Sequence, residues 1–340
     1  MLVSTATSAA DLLQRRRTPA QRVQQVLHAH PWVSPLVVLV VAVVVFTALN
    51  PRFASPASLS LVLQQVAVVG ALAVGQTLVI LTAGIDLSVG AVAVLAGVVP
   101  AQLALSGGLP GPAAVLLGLA VGTLAGLANG LLVTRLRLPP FIVTLGTLSI
   151  FTALALLWSG GSSTRADQLP AVLSWTGTRV AVGPFNLTTG VLLVLVLYLV
   201  VGYALACTAW GRHVYAVGDD AEAARLAGIR VRRVLLSVYV VAGAVYGLAA
   251  WVLIGRAGAA SANAVVDANL ESITAVVIGG TSLFGGRGVL VGTLLGALIV
   301  GVFRSGLSLA GVDDQYRVLA IGVLVIVAVS VDQWIRRARA

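Results

Sequence analysis

The carboxylate most deeply set among apolar residues is Asp86, in the stretch GQTLVILTAGIDLSVG at 75–90. A charge at membrane depth is expensive, so it is shielded by protein and tends to mark a functional place. Gly84, Ser88 and Gly90 surround it. Glycines here point to a broken or closely packed helix rather than a plain lipid-facing span. Two roles stay open. Asp86 organises a helix break beside a path through the membrane, or it caps the next helix with Ser88 by accepting backbone N–H groups. The cap or hinge is favoured over direct contact with a solute.

Catalytic chemistry is poorly provided for. The three histidines are His28, His30 and His213, all in segments predicted to lie outside the membrane. None stands beside an intramembrane serine, and two neighbouring histidines are too few for a metal site. The glycine-rich GGTSLFGGRG at 279–288 has no phosphate-binding lysine, because all 21 basic residues are arginine. ATP hydrolysis by this chain is therefore not expected. Gly279, Gly280, Gly285 and Gly286 suit close helix packing and a turn instead. The single cysteine, Cys207, excludes an intrachain disulfide and a cysteine metal cluster. No metal, resident cofactor or nucleic-acid partner is called for. The net charge of +10 suits arginines that flank membrane spans and face anionic headgroups.

The elements that must position these residues are membrane helices. The chain is 59% hydrophobic and 9% charged, and apolar runs of about 20 residues recur along it. We expect an all-α polytopic fold with ten segments: 32–49, 59–82, 87–106, 113–133, 141–158, 190–209, 234–254, 270–284, 289–309 and 318–331. The third and eighth are candidates for broken or re-entrant elements. With both termini cytoplasmic, fifteen arginines fall inside and six outside, a clear positive-inside bias.

Residues 1–31 read as a basic cytoplasmic segment and 32–335 as one transmembrane domain. Residues 336–340 form a short basic tail. Within 1–31, residues 10–28 can form an amphipathic helix on the lipid surface. The long outer loop, 159–189, carries the alternation of a short hairpin near 178–182.

The internal loop at 210–233 holds helix signals. Asp219 or Asp220 can cap its start, Glu222 and Arg225 stand at i and i+3, and Gly228 can end it. At the outer end, Arg256, Asp267, Glu271, Asp313, Asp314 and Arg317, with Arg304 nearby in the ninth segment, are either solvated loop residues or docking charges that steer a partner.

Four stretches occur in a distinctive order: 75–90, LPPFIVTLGTLSIFTALALLWSGG at 138–161, GRHVYAVGDDAEAARLAGIRVRRV at 211–234, and AVVIGGTSLFGGRGVLVGTLLGALIVGV at 275–302. Together, over about 59–332, they resemble the permease subunits of bacterial ABC importers for monosaccharides of the ribose/xylose/arabinose type. The resemblance implies a dimer of permease subunits in the bacterial inner membrane. It implies an ATPase subunit on the cytoplasmic face, which binds the ATP, and an extracytoplasmic sugar-binding protein on the outer face. It also implies that 219–229 is the coupling helix. Where the family usually has Gly-Asn, this chain has Asp219-Asp220.

Related machines carry nucleosides, branched-chain amino acids or a sugar-derived signal, and these cargoes remain open. An ion-coupled secondary transporter is the alternative of a different class. It would need several midmembrane ion ligands, and Asp86 is the one clear acidic candidate.

Overall fold

A computed structural model describes residues 32–264, 268–313, 315–323 and 326–327. The basic segment 1–31, the tail 336–340 and Asp314 lie outside the described residues.

The chain forms a helical bundle. Its helices are α1 Val33–Leu49, α2 Pro56–Leu81, α3 Val89–Gly107, α4 Gly111–Arg135, α5 Pro140–Ser159, α6 Thr189–Cys207, α7 Ala209–Asp219, α8 Ala221–Leu226, α9 Val231–Ala257, α10 Ala268–Ile278 and α11 Leu290–Leu309. Residues 315–323 are also helical. Among the described residues, seven helices are long and apolar enough to cross a membrane: α2, α3, α4, α5, α6, α9 and α11. The apolar helices α1 and α10 are shorter.

Two small antiparallel ribbons depart from a purely helical fold. Arg179–Val182 pairs with Phe185–Thr188, and Thr164–Arg165 pairs with Ala259–Ala260. Gly183, at φ +58°, takes the first central position of the hairpin turn, where a two-residue turn requires positive φ.

The bundle has two distinct ends. The arginine-rich end gathers the ends of α2 and α7 and the loop after α10: Gly286 donates its N–H to the Leu81 carbonyl at 3.0 Å. The ribbon end gathers the starts of α2 and α4 and the ends of α9 and α11. There Asn50 Nδ2 donates to the Leu309 carbonyl and the Asn186 N–H donates to Ser60 Oγ.

Small residues set how closely the helices approach. Gly118, Gly122 and Gly126 of α4 meet Gly243 and Gly247 of α9. A Cβ at Gly122 would lie 2.9 Å from Gly247 Cα, and one at Gly126 equally close to Gly243 Cα. Lipid tails are as apolar as leucine, so helices associate through such close packing rather than through expulsion of water. The outer faces stay apolar: Val44 of α1 is 61% exposed and Leu157 of α5 is 80% exposed.

The eighth expected segment is the least regular. α10 has 11 residues, about 16 Å of helix, roughly half of a 30 Å hydrocarbon core. Gly279 and Gly280 end it: the Gly280 N–H reaches the Val277 carbonyl and the Thr281 N–H the Val276 carbonyl, a Schellman cap with Gly280 at φ +84°. The chain continues as an irregular loop to Val289 before α11.

Candidate functional site

The interruption at 82–88 is built from standard capping chemistry in an unusual place. The Ala83 N–H bonds the Ile80 carbonyl and the Gly84 N–H the Val79 carbonyl, so α2 ends in a Schellman motif. The left-handed position holds Ala83, at φ +59°, where glycine is the usual occupant. The chain then turns back and starts α3. Asp86 is 1% exposed. Its Oδ1 accepts the Ser88 N–H at 2.8 Å and the Ser88 hydroxyl at 2.6 Å, which satisfies a buried carboxylate locally. Ser88 is the N-cap residue of α3, and Asp86 fixes it from two residues upstream.

Neighbouring helices lock the break. Asn129 Nδ2 of α4 donates to Ser88 Oγ at 2.9 Å, and Thr144 Oγ1 of α5 donates to the Ile85 carbonyl at 3.0 Å. The Gly90 N–H donates to Asn269 Oδ1 of α10 at 2.6 Å. The Tyr239 and Tyr246 side chains of α9 are buried around the carboxylate, with the Tyr246 hydroxyl facing Asp86. Gly75 leaves room for the Tyr246 ring, and Gly84 faces the Tyr239 hydroxyl. Gly84, Asp86, Ser88 and Gly90 thus belong to one buried polar knot. Its outside partners, Asn129, Thr144 and Asn269, escaped the sequence reading because they come from three other helices, 41 to 179 positions from the residues they bond.

A second cluster lies at the arginine-rich end. Gly218, near the end of α7, packs on the Leu81 carbonyl and the Gly286 N–H. A Cβ at Gly285 would lie 2.6 Å from the Gly218 carbonyl oxygen. Tyr215 donates its hydroxyl to the Gly288 carbonyl at 2.8 Å. The loop after α10 is therefore clamped between α2 and α7. Gly279 does different work: it packs against Gly292 where α10 and α11 run side by side.

α8 projects from this junction. Asp220, not Asp219, caps it: Oδ1 accepts the Glu222 and Ala223 N–H groups at 2.9 Å each. Arg225 Nε donates to Glu222 Oε2 at 3.0 Å. That hydrogen bond and the arginine's charge hold the Glu222 carboxyl below its ordinary range. The Gly228 N–H bonds the Arg225 carbonyl and the Ile229 N–H the Ala224 carbonyl, a Schellman end with Gly228 at φ +85°. Ala224 is the buried contact of this helix, whereas Leu226 is 77% exposed. An apolar side chain held in the open beside a charged pair suits a protein partner. The sequence reading did not single out Leu226, since one leucine among so many carries no pattern.

The described residues expected at the outer surface lie together at the ribbon end. Arg256 lines a cavity there with Arg304 and Glu271. Asp313 is exposed after α11, and Asp267 and Asp314 lie outside the described residues. Among the described residues, no group of three or more His, Cys, Asp or Glu side chains is placed to hold a metal ion.

Comparison with known proteins supplies the remaining evidence. Residues 58–329 match the family model described as branched-chain amino acid transport system / permease component. The chain is 48% identical over 344 residues to the fructose import permease protein of Rhizobium meliloti, covering 100% of this chain and 96% of that one. It is 38% identical over 301 residues to the ribose import permease protein of Bacillus subtilis, covering 88% and 92%. It is 34% identical over 301 residues to the D-allose transport system permease protein of Escherichia coli, covering 88% and 91%.

Proposed function

The chain belongs to the family of branched-chain amino acid transport system permease components, and from that premise we propose that it is the membrane-spanning permease subunit of an ABC importer for a monosaccharide. The observation that carries this is similarity over 88% of the chain or more to import permeases named for fructose, ribose and allose. It is a multi-pass protein of the bacterial inner membrane. ATP is bound and hydrolysed by a separate ATPase subunit, and the sugar is delivered by an extracytoplasmic binding protein.

In this reading the arginine-rich end is cytoplasmic, in keeping with the positive-inside rule. The chain makes ten passes, with α10 and the loop after it together forming the eighth. α8 is the coupling helix: Asp219 and Asp220 set its start, Gly228 its end, and Glu222, Arg225 and Leu226 meet the ATPase. Its junction with Leu81, Gly285 and Gly286 supports this role, because movement of α8 is passed to α2 and to the α10–α11 hairpin. The knot at Gly84, Asp86, Ser88 and Gly90 is a hinge beside the translocation path. Arg256 and Asp313 face the binding protein. A second permease copy completes the membrane unit, and the exposed apolar faces contact lipid.

The test is reconstitution of the chain with an ATPase and a binding protein encoded beside it. Sugar-stimulated ATP hydrolysis that requires every component supports the assignment. Hydrolysis indifferent to sugar and binding protein sinks it.

A further inference from the structure

Two adjoining cavities of about 300 and 260 Å³ open at the ribbon end, sharing Gln65, Arg256 and Arg304. The larger is at the lower limit of small-molecule sites, roughly 300–1,000 Å³. One wall is polar. Glu271 of α10 is 5% exposed and ion-paired with Arg304 of α11. Gln65 Oε1 accepts the Ser305 hydroxyl at 2.9 Å, which turns the amide into a positioned donor. The other wall is apolar, formed by Val66, Val69, Ala297 and Val300. Beneath it the α2–α11 seam is shut: Val66 fills the space at Gly301, and Thr77 Oγ1 lies 2.8 Å from Thr293 Oγ1.

The buried Glu271 carboxylate is costly to desolvate at this depth, and the half-exposed Arg304 guanidinium beside it offsets that cost. Arg256 lines both cavities as well, so the wall offers fixed acceptors together with an excess of donors. A sugar ring has the matching chemistry: hydroxyls around the edge and C–H groups on the faces. α10 also joins this wall to the hinge. Glu271 faces the cavity, while Asn269, two residues earlier, holds the first turn of α3 through the Gly90 N–H.

We propose that this cavity is a sugar-selective vestibule in which the Glu271 carboxylate and the Gln65 amide hydrogen-bond the hydroxyls of an uncharged monosaccharide after it leaves the binding protein. Arg304 is a positioning residue that holds the carboxylate. This rests on the importer reading above. It adds that the permease itself discriminates among sugars, not only its binding protein.

The test uses the full importer in vesicles, with binding protein and sugar saturating, and D-fructose, D-ribose and D-allose as probes. The readout is the ratio of maximal uptake rates among the sugars, for wild type, Gln65→Leu and Glu271→Gln. Loss of one hydrogen bond changes a rate about two- to tenfold, so both variants should shift the ratios by that factor. A variant that slows every sugar by the same factor assigns the residue to docking or folding and overturns the vestibule. Unchanged ratios and rates in Gln65→Leu do the same, whatever the state of Glu271→Gln. If wild type moves none of the three sugars, the importer reading falls first and the vestibule with it.

Discussion

Gly286 lies against the backbone of Asp219: a Cβ at 286 would sit 2.7 Å from Asp219 Cα. The loop after α10 and the end of α7, next to the start of α8, are thereby held as one body. Gly218 beside them presses on the last carbonyl of α2. Three stretches that are far apart in the chain meet there.

Gly286→Ala should uncouple the machine. Gly286 is at φ +67°, where a Cβ costs about 1–2 kcal/mol before its clash with Asp219 is counted. The expected result is assembled complex that hydrolyses ATP but imports sugar at least about tenfold more slowly. Normal import by Gly286→Ala would show that this junction is not on the route.

Leu226→Asp should weaken assembly with the ATPase, by about tenfold or more if the side chain fills a groove at the partner's centre. Pull-down from detergent measures it. Glu222→Arg alone should also uncouple transport. The double exchange, Glu222→Arg with Arg225→Glu, restores the internal pair and not the match to the partner. Recovery of import by the double exchange would mean that the pair serves only the helix.

The same pair predicts a flat pH response. Arg225 lowers the folded pKa of Glu222. Its contribution is present above the unfolded carboxylate pKa and is lost only as pH falls through the lower folded value. Coupling through this helix should not vary between about pH 6 and 8. A titration in that window traced to Glu222→Gln would contradict it.

Asp86→Asn and Asp86→Ala should differ. The asparagine oxygen can still accept both Ser88 donors, whereas alanine leaves the buried Ser88 N–H unpartnered at a cost of about 1–3 kcal/mol. Asn should melt near wild type and transport; Ala should melt lower and transport poorly. Equal loss in both would make the charge itself essential.

Gly126→Ala should lower thermal stability by forcing α4 and α9 apart. A Cβ there enters the backbone of α9, and overpacking costs about 1–3 kcal/mol. Fluorescence-detected melting in detergent checks it, with no change predicting that α4 and α9 separate easily.

Much of this was legible because membrane helices announce themselves. The apolar runs located every long helix within a few residues, and Asp220, Glu222, Arg225 and Gly228 marked α8 through capping and pairing rules that act over four residues. Asp86 with Ser88 was legible for the same reason. Glu271 and Arg304 were placed at the same outer end, but their pairing was not legible, since the two residues are 33 positions apart and only the α10–α11 hairpin joins them. Asn129 and Asn269 were hidden likewise. Arg256 was expected among docking charges at the outer surface; that it also lines a cavity depends on helix rotation, which a uniformly apolar sequence does not encode. Ala83 in a left-handed cap escaped notice because the rule expects glycine there.

The most direct measurement is ATP hydrolysis and sugar uptake in sealed vesicles that hold this chain with its ATPase and binding protein. The account predicts hydrolysis stimulated by a monosaccharide, and uptake of that sugar, only when all three components and ATP are present. Sugar uptake by this chain alone, driven by an ion gradient without ATP, would contradict it and make the protein a secondary transporter.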